Sequence, residues 1–172
     1  MGLFDTSKFL KIALVVSCLA FLFFVVGFGT TFWITIDIPG FDHPFHYGLW
    51  KMHALTDGDL SDDLIDGKLK ATRAFCTLGM LVGIACTVLI VLFLFVKQLN
   101  LIRLVGAATG IGAGVLVFIA VIIYGTELDH YKTGSNLPVK YGYSFGLTTF
   151  SGILYIVTGG LVFLDIKMSG SA

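Results

Sequence analysis

The sequence predicts a membrane-embedded bundle of four α-helices that carries a small antiparallel β-sheet outside the bilayer. Three observations lead to this fold class. Of the 172 residues, 56% are hydrophobic and only 13% are charged, whereas soluble domains carry about 25% charged residues. Four uncharged runs each exceed the roughly 20 residues that a membrane helix needs. From the end of the first run, apolar and polar residues alternate, and this period of two is typical of a β-strand.

The four uncharged runs are predicted to be helices that cross the membrane. Backbone N–H and C=O groups in lipid have no water to bind, so each run must satisfy them internally as a helix. The first run is too long for the core of a signal peptide and is expected to remain in the protein. The runs cover residues 12–36, 74–96, 104–126 and 141–164. The spans are placed at about residues 10–34, 74–96, 103–126 and 142–165.

Basic residues near the start of the chain indicate its orientation. Lys8 and Lys11 precede the first span, and the next basic residue is Lys51. Because the cytosolic flanks of membrane helices are enriched in Lys and Arg, this bias predicts a cytosolic N-terminus. The expected membrane is the plasma membrane. Four spans return the C-terminus to the cytosol and leave two loops outside, at about residues 37–73 and 127–140.

Charge and cysteine content exclude several classes of protein. Lys and Arg together number eleven, as do Asp and Glu, so the chain lacks the basic excess of a nucleic-acid-binding protein. The three cysteines lie inside apolar runs, where no disulfide framework is expected. The middle of each span lacks acidic, basic and histidine residues, which argues against a pump, transporter or voltage sensor. We predict a single domain over residues 1–172.

Glycines recur at every fourth position in two of the predicted spans. Small residues at this spacing allow helix backbones to approach closely. Packing within one bundle is the preferred interpretation, and dimerisation is the alternative. The short turn between the second and third spans predicts that they are antiparallel neighbours. The glycines are Gly79 and Gly83 in the second span, and Gly106, Gly110 and Gly114 in the third.

Two residues of opposite charge lie near the predicted cytosolic boundary. Arg103 begins the third predicted span and Asp165 ends the fourth. Pairing between them is one arrangement. The expected arrangement is that each side chain extends separately towards the water, with its apolar stem in the interface.

The predicted sheet begins directly after the first helix. Residues 34–38 alternate between isoleucine and polar side chains, and Pro39-Gly40 then forms a turn. Residues 47–55 are a second strand candidate, and residues 137–143 near the other outside loop are a third. A lone hairpin is marginal in water, so these strands are predicted to form one small sheet that rests on the helices.

Several residues around this segment resemble the claudin superfamily. That group includes the peripheral myelin and epithelial membrane proteins and the channel-regulating gamma subunits, and the resemblance implies its four-span fold. The motif Gly-Leu-Trp alone is weak evidence for the family. Its position between Trp33 and Arg73 in a four-span chain makes the resemblance specific. Residues 141–146, Tyr-Gly-Tyr-Ser-Phe-Gly, are similar to the start of the fourth span in several members. The motif residues are Trp33, Gly48, Leu49, Trp50 and Arg73.

The chain departs from the family pattern at one pair of positions. The family has a cysteine three residues after the motif tryptophan and another about ten residues later. Here the first position is His53, and no cysteine follows before Cys76. The loop therefore lacks a cross-link that contributes about 2–4 kcal/mol, and the sheet is expected to depend on Trp33, Trp50 and packing. Tryptophans at a span end also serve as interfacial anchors, which is the alternative role for Trp33.

Acidic residues cluster in the first outside loop. The simpler interpretation is a solvated face that keeps the loop soluble. The functional interpretation is a negative field that attracts cations or a basic partner, and the resemblance implies a cation-selective path between cells. The residues concerned are Asp57, Asp59, Asp62, Asp63 and Asp66.

No catalytic or cofactor site is predicted. Asp42, His43, His46 and His53 are metal-ligand types, but Pro44 separates two of the histidines and no helix sets their geometry, so ordinary loop residues are expected. The chain shows no nucleophile–base pair or phosphate loop, so it is not expected to be an enzyme. Gly2 fits a myristoylation template, but an acyl chain would add little anchoring to four spans.

Two functional hypotheses follow. The resemblance implies a structural or adhesive membrane protein whose outside sheet contacts itself or related four-span proteins, in the same membrane or on the next cell. The alternative is a regulatory subunit that docks on an ion channel or receptor. The expected partners are therefore the lipid bilayer, four-span proteins and a channel. The ending Gly-Ser-Ala does not resemble the scaffold-binding signal of junctional claudins, which argues against a scaffolded tight-junction strand.

Overall fold

The described part of the chain forms four long helices. The structure, a computed structural model, describes residues 7–37, 40, 44–53, 57–59, 66–95, 100–134 and 138–170. Each helix contains a segment long and apolar enough to cross a membrane. The helices are α1 (Lys8–Gly29), α2 (Gly67–Phe95), α3 (Asn100–Gly134) and α4 (Tyr143–Gly170).

Within the described residues, five short strands form one antiparallel sheet at the end of the bundle where α1 stops. The strands are β1 (Ile34–Ile36), β2 (Phe45–Tyr47), β3 (Lys51–His53), β4 (Asp57–Asp59) and β5 (Val139–Tyr141). Their order is β4-β3-β2-β1-β5, so a strand from the α3–α4 connection pairs with the strand that follows α1. This architecture confirms the predicted fold class, a four-helix membrane bundle with a small antiparallel sheet.

The helices pack in the order α1, α4, α3, α2, with a smaller contact that closes the bundle between α1 and α2. The predicted neighbours α2 and α3 do lie side by side. The core cluster nearest the sheet contains Trp33 and Leu49 together with residues of all four helices. A second cluster lies at the opposite end around Leu10 and Phe93, and a small one around Tyr155 lies between them.

All four helices differ in length from the predicted spans, and the fourth continues to Gly170 rather than ending near residue 165. The first ends at Gly29 rather than near residue 34. The second begins at Gly67, inside the predicted first loop, and the third continues to Gly134, inside the predicted second loop. Uncharged runs in the sequence cannot locate the ends of these helices, because the part of a helix that projects beyond lipid can be polar. At the start of α2, for example, the buried Thr72 hydroxyl donates to the Lys68 carbonyl at 2.9 Å.

The strands are predicted correctly to form one sheet, but one predicted strand is interrupted by a turn. The single strand predicted over residues 47–55 is in fact interrupted: β2 ends at Tyr47 and β3 begins at Lys51, so the chain reverses within the Gly-Leu-Trp motif. The Gly48 N–H donates to the Lys51 carbonyl at 2.9 Å and closes this hairpin. The predicted strand over residues 137–143 is Val139–Tyr141, because Tyr143 already begins α4. In the predicted 39–40 turn, Gly40 has a φ of 94°, in the left-handed region that favours glycine.

The expectation that Arg103 and Asp165 extend separately is wrong. The Arg103 guanidinium forms a salt bridge with the Asp165 carboxylate, and their side chains are only 10% and 1% exposed. The same guanidinium donates to the Ser169 hydroxyl at 3.0 Å and lies over the Phe93 ring, 4.7 Å from its centroid. The pair joins the start of α3 to the end of α4, where neither charge has ready access to water.

Candidate functional site

Trp33 ties the sheet to the helix bundle. The residue lies between α1 and β1 and is fully buried. Its indole N–H donates to the Gly27 carbonyl at 2.7 Å, which satisfies one of the carbonyls left unpaired at the end of a helix. The ring packs edge-on against Tyr124 of α3 at 4.8 Å and Phe145 of α4 at 6.0 Å. Trp33 is therefore a core residue that fixes the sheet, rather than an exposed interfacial anchor.

The Gly-Leu-Trp motif forms the hairpin turn that sits on the end of α1. A Cβ at Gly48 would lie 2.7 Å from the Thr31 Cα and 2.8 Å from the Thr30 carbonyl oxygen, so only glycine fits there. Leu49 is fully buried in the core cluster beneath the sheet. The motif thus connects the sheet to the bundle. The space at Gly48 admits only glycine, and the buried position of Leu49 requires an apolar side chain.

Arg73 holds this turn from the side of α2. Its Nε–H donates to the Leu49 carbonyl at 2.6 Å. Its guanidinium lies 5.0 Å from the centroid of the Trp50 ring, a cation–π contact. Trp50 also meets Phe28 of α1 edge-on at 5.3 Å, but 41% of the residue stays exposed. The structure thus brings all five motif residues into one assembly at the junction of sheet and bundle.

The connection from β5 to α4 contributes a second junction that the motif alone does not reveal. The Gly142 N–H donates to the Trp33 carbonyl at 2.9 Å, and the Ser144 N–H donates to the Phe32 carbonyl at 3.0 Å. A side chain at Gly142 would collide with the Phe32 carbonyl. The hydroxyls of Thr30 and Ser144 lie 2.6 Å apart. In the sequence, the aromatic-glycine segment 141–146 is the feature that indicates this junction. In the structure, this segment contacts the residues between α1 and β1.

The face of the sheet that points away from the core is polar. Ile34 and Val139 are buried in the core cluster. Thr35, next to Ile34, is paired with Lys140 across β1 and β5, and successive strand residues face opposite sides. The Lys140 ammonium lies 3.0 Å from the Asp37 carboxylate, and both side chains are well exposed. The sheet therefore presents a charged face at its β5 edge.

The predicted acidic surface is distributed over several elements. Asp57 and Asp59 lie in β4, the edge strand at the other side of the sheet from β5. Asp66 is exposed, and its carboxylate accepts a hydrogen bond from the Gly67 N–H at the start of α2. Asp66 therefore lies at the N-terminal end of α2, where a negative side chain is favourable. Asp62 and Asp63 lie outside the described residues.

The predicted cluster of metal-ligand types is only partly described. Asp42 and His43 lie outside the described residues. Among the described side chains, no three His, Cys, Asp or Glu residues come together in a group able to hold a metal ion. His46 lies in β2, and its Nδ1 is 3.2 Å from the Thr35 hydroxyl.

The predicted glycine positions serve helix packing within the bundle, with one exception. A Cβ at Gly79 would lie 3.1 Å from Val117 of α3, and one at Gly110 would lie 2.9 Å from the Gly159 nitrogen of α4. Gly83 lies against the Tyr155 ring, and Gly114 lies against Gly152 and Ile156 of α4. A Cβ at Gly106 would have its nearest neighbour at 3.8 Å. The glycine face of α3 therefore packs mainly on α4, against glycines that the four-residue spacing does not predict.

Comparison with known proteins agrees with this geometry. The sequence model of the PMP-22/EMP/MP20/Claudin family matches residues 5–162. The chain is also similar to the protein named NKG7 from Bos taurus, with 27% identity over 155 residues that cover 88% of this chain and 87% of that protein. NKG7 from Homo sapiens is 24% identical over 153 residues, with the same coverage of both chains.

The family match, the four apolar helices and the sheet anchored by Trp33 and the Gly-Leu-Trp turn together identify a multi-pass membrane protein. The family is one of non-enzymatic membrane proteins. The match extends over most of the chain and includes all five motif residues. We conclude that the chain belongs to the PMP-22/EMP/MP20/Claudin family.

Proposed function

We propose that the protein acts in cell–cell contact, adhesion or junction organisation, through the polar face of its sheet. In this proposal the sheet lies outside the plasma membrane and both termini lie in the cytosol. The binding partner is the same protein or a related four-span protein, in the same membrane or on a neighbouring cell.

The proposal rests on one observation: the sheet is rigidly attached to the bundle. Trp33 and Arg73 connect the sheet or its flanking turns to the helices through hydrogen bonds of 2.7 and 2.6 Å. The Gly142 N–H joins the β5–α4 connection to the α1–β1 connection at 2.9 Å. A surface held in one orientation loses little conformational entropy when it binds a partner. The charged residues Asp37 and Lys140 on that surface supply complementarity and orientation more than raw affinity.

Expression in non-adherent cells tests the proposal. Fluorescently tagged protein is expected to concentrate where two expressing cells touch, compared with the free surface of the same cells. A Lys140→Glu variant is expected to reach the surface normally but to lose enrichment at contacts, because it reverses an exposed charge on the proposed face. Lys70→Glu, an exposed charge at the start of α2, is the matched control and is expected to behave as wild type.

Gentle-detergent purification from the same cells distinguishes the two hypotheses. Co-purification of differently tagged copies, without another membrane protein in stoichiometric amount, supports contact formation. Uniform surface distribution together with a stoichiometric ion channel would overturn the proposal in favour of a regulatory subunit.

A further inference from the structure

Arg73 and Trp50 lie side by side with hydrogen-bond donors that the rest of the chain leaves unused. Arg73 donates its Nε–H to the Leu49 carbonyl at 2.6 Å, and its guanidinium lies 5.0 Å from the centroid of the Trp50 ring. In the described part of the chain, neither the two Nη nitrogens of Arg73 nor the Trp50 indole N–H has a hydrogen-bond partner. The side chains thus offer a cationic donor and a neutral one at the same place.

This pair lies where the bundle leaves the membrane on the side of the sheet. Arg73 directly precedes the uncharged run that begins at residue 74. Trp50 packs edge-on against Phe28, next to the end of α1 at Gly29. Tryptophan and arginine side chains at the end of a membrane helix reach the level of the lipid headgroups. The 41% of Trp50 that is exposed therefore faces the headgroup region rather than bulk water.

Apolar surface continues from the pair towards the middle of the membrane. Val25 lies three residues before Phe28 on α1, and Ile84 lies eleven residues after Arg73 on α2. Both spacings keep residues near one face of a helix. Val25 is 42% exposed and Ile84 is 39% exposed. Because α1 and α2 also make the smallest contact among neighbouring helices of the bundle, they border a shallow apolar strip between them.

We propose that Arg73 and Trp50 bind the phosphodiester of a membrane phospholipid whose acyl chain lies along this α1–α2 strip. The edge of a guanidinium presents two N–H groups that match two phosphate oxygens. The Trp50 indole N–H supplies a further donor beside them. The Arg73 cation has no carboxylate partner among the described residues, so an anionic group complements it. The apolar strip favours a lipid over free phosphate, since it removes an acyl chain from competing surroundings only when the two are joined.

Native mass spectrometry of the full-length chain in detergent micelles, titrated with dioleoylphosphatidylglycerol, tests the proposal. Saturable binding is expected, with one lipid bound before any other. Dioleoylglycerol has the same acyl chains without the phosphate, and inorganic phosphate has no acyl chain. Each of these two probes is expected to bind at least about tenfold more weakly, because each lacks one half of the recognised structure.

Four variants separate the site from general attraction between charges. Arg73→Gln is expected to weaken binding of the phospholipid about tenfold by removing the cation. Trp50→Phe keeps the aromatic ring but removes the indole N–H, and is expected to weaken binding about threefold. Lys8→Gln removes one exposed positive charge at the opposite end of α1, and Tyr143→Phe alters an exposed aromatic residue at the start of α4. Both are matched controls and are expected to bind as wild type.

Three results would overturn the proposal. Equal binding of dioleoylglycerol, or equal binding of inorganic phosphate, would contradict a phospholipid site. A loss in Lys8→Gln as large as that in Arg73→Gln would indicate general charge attraction. Unchanged binding in Trp50→Phe and Arg73→Gln would show that the pair does not contact the lipid.

Since Arg73→Gln can fail to fold, tryptophan fluorescence of the unmutated chain provides a second test. The chain has two tryptophans, and Trp33 is fully buried whereas Trp50 is half-exposed. Phosphatidylglycerol with brominated acyl chains is expected to quench the emission of Trp50. An excess of the unbrominated lipid is expected to restore it, and dioleoylglycerol is not. Equal restoration by both would contradict the site. Neither measurement requires cell contact, so a failure here leaves the proposed adhesive function standing, and the reverse also holds.

Discussion

At the scale of single residues, Trp33 shows how one side chain joins two kinds of secondary structure. Its ring fills the space among α1, α3 and α4, while its N–H pairs with a carbonyl at the end of α1. Trp50, further along the chain, makes aromatic and cation–π contacts but keeps 41% of its surface exposed. Trp33 is therefore expected to contribute more to the stability of the fold than Trp50 does.

Replacement of Trp33 by Phe is expected to lower stability far more than the same change at Trp50. The Trp33→Phe variant loses a buried hydrogen bond and leaves a cavity, at a cost of about 2–4 kcal/mol. Trp50→Phe retains an aromatic ring for Arg73 and is expected to cost less than about 1 kcal/mol. Thermal unfolding in the same detergent measures both. Equal losses for the two variants would contradict the assigned roles.

The buried ion pair at the opposite end of the bundle offers a second residue-scale prediction. Asp165→Leu leaves the Arg103 guanidinium buried without its counter-charge and is expected to cost about 3–5 kcal/mol. The double variant Arg103→Leu with Asp165→Leu is expected to recover most of that loss, because both charges are then absent. Denaturant unfolding of the single and double variants measures the difference. A double variant as unstable as the single one would show that the pair's charge is not the cause.

At the scale of elements, the contact between α3 and α4 depends on close backbone approach. A Cβ at Gly110 would lie 2.9 Å from the Gly159 nitrogen, and one at Gly159 would lie 2.7 Å from the Ala107 carbonyl oxygen. A Cβ at Gly112, on the same helix as Gly110, would meet no neighbouring element within 4 Å. The same helix thus contains a tight glycine and an open one.

Gly110→Val is expected to lower the melting temperature, and Gly112→Val is the matched control. Both variants place a β-branched residue in α3, so they share the same change in helix propensity. Only the first forces α3 and α4 apart, and overpacking of this kind costs about 1–3 kcal/mol or more. Thermal unfolding and size-exclusion chromatography in detergent compare them. Equal behaviour of the two variants would show that this helix contact tolerates separation.

The start of α4 provides a similar comparison for the sheet. Gly142→Ala is expected to disturb the pairing of β5 with β1, because the added methyl group meets the Phe32 carbonyl. Gly146→Ala, in the first turn of α4, points into open space and is expected to be neutral or slightly stabilising. Delivery to the cell surface and protease resistance of the sheet measure the effect. Normal delivery and resistance in Gly142→Ala would contradict a tight junction there.

At the scale of the whole molecule, the sheet unites the two connections on one side of the bundle. Of the strands in the described part of the chain, four come from the connection between α1 and α2 and the fifth comes from the connection between α3 and α4. The pairing of β5 with β1 closes this arrangement, and Trp33 lies beneath it in contact with α3 and α4. The sheet and the bundle consequently share one core cluster. The connection between α1 and α2 has no cysteine before Cys76, so packing in this shared core attaches the sheet to the bundle.

The architecture could be predicted from the sequence, but the candidate site only in part. The motif residues Trp33, Gly48, Leu49, Trp50 and Arg73 are recognisable in the sequence, and the structure assembles all five. The junction at Gly142 is recognisable only as part of the segment 141–146, because a glycine between two tyrosines does not indicate which carbonyl it meets. The acidic residues look like one group in the sequence, whereas Asp66 lies at the start of α2 and Asp57 belongs to an edge strand.

Composition and periodicity are enough to establish a membrane protein with four helices and a strand after the first. Those properties are local, since apolar length sets a membrane helix and alternation sets a strand. The tertiary fold is needed to establish which distant residues meet: β5 beside β1, Arg103 with Asp165, and His46 opposite His53. Such pairings depend on strand register and helix orientation, which the whole chain settles together when its core closes.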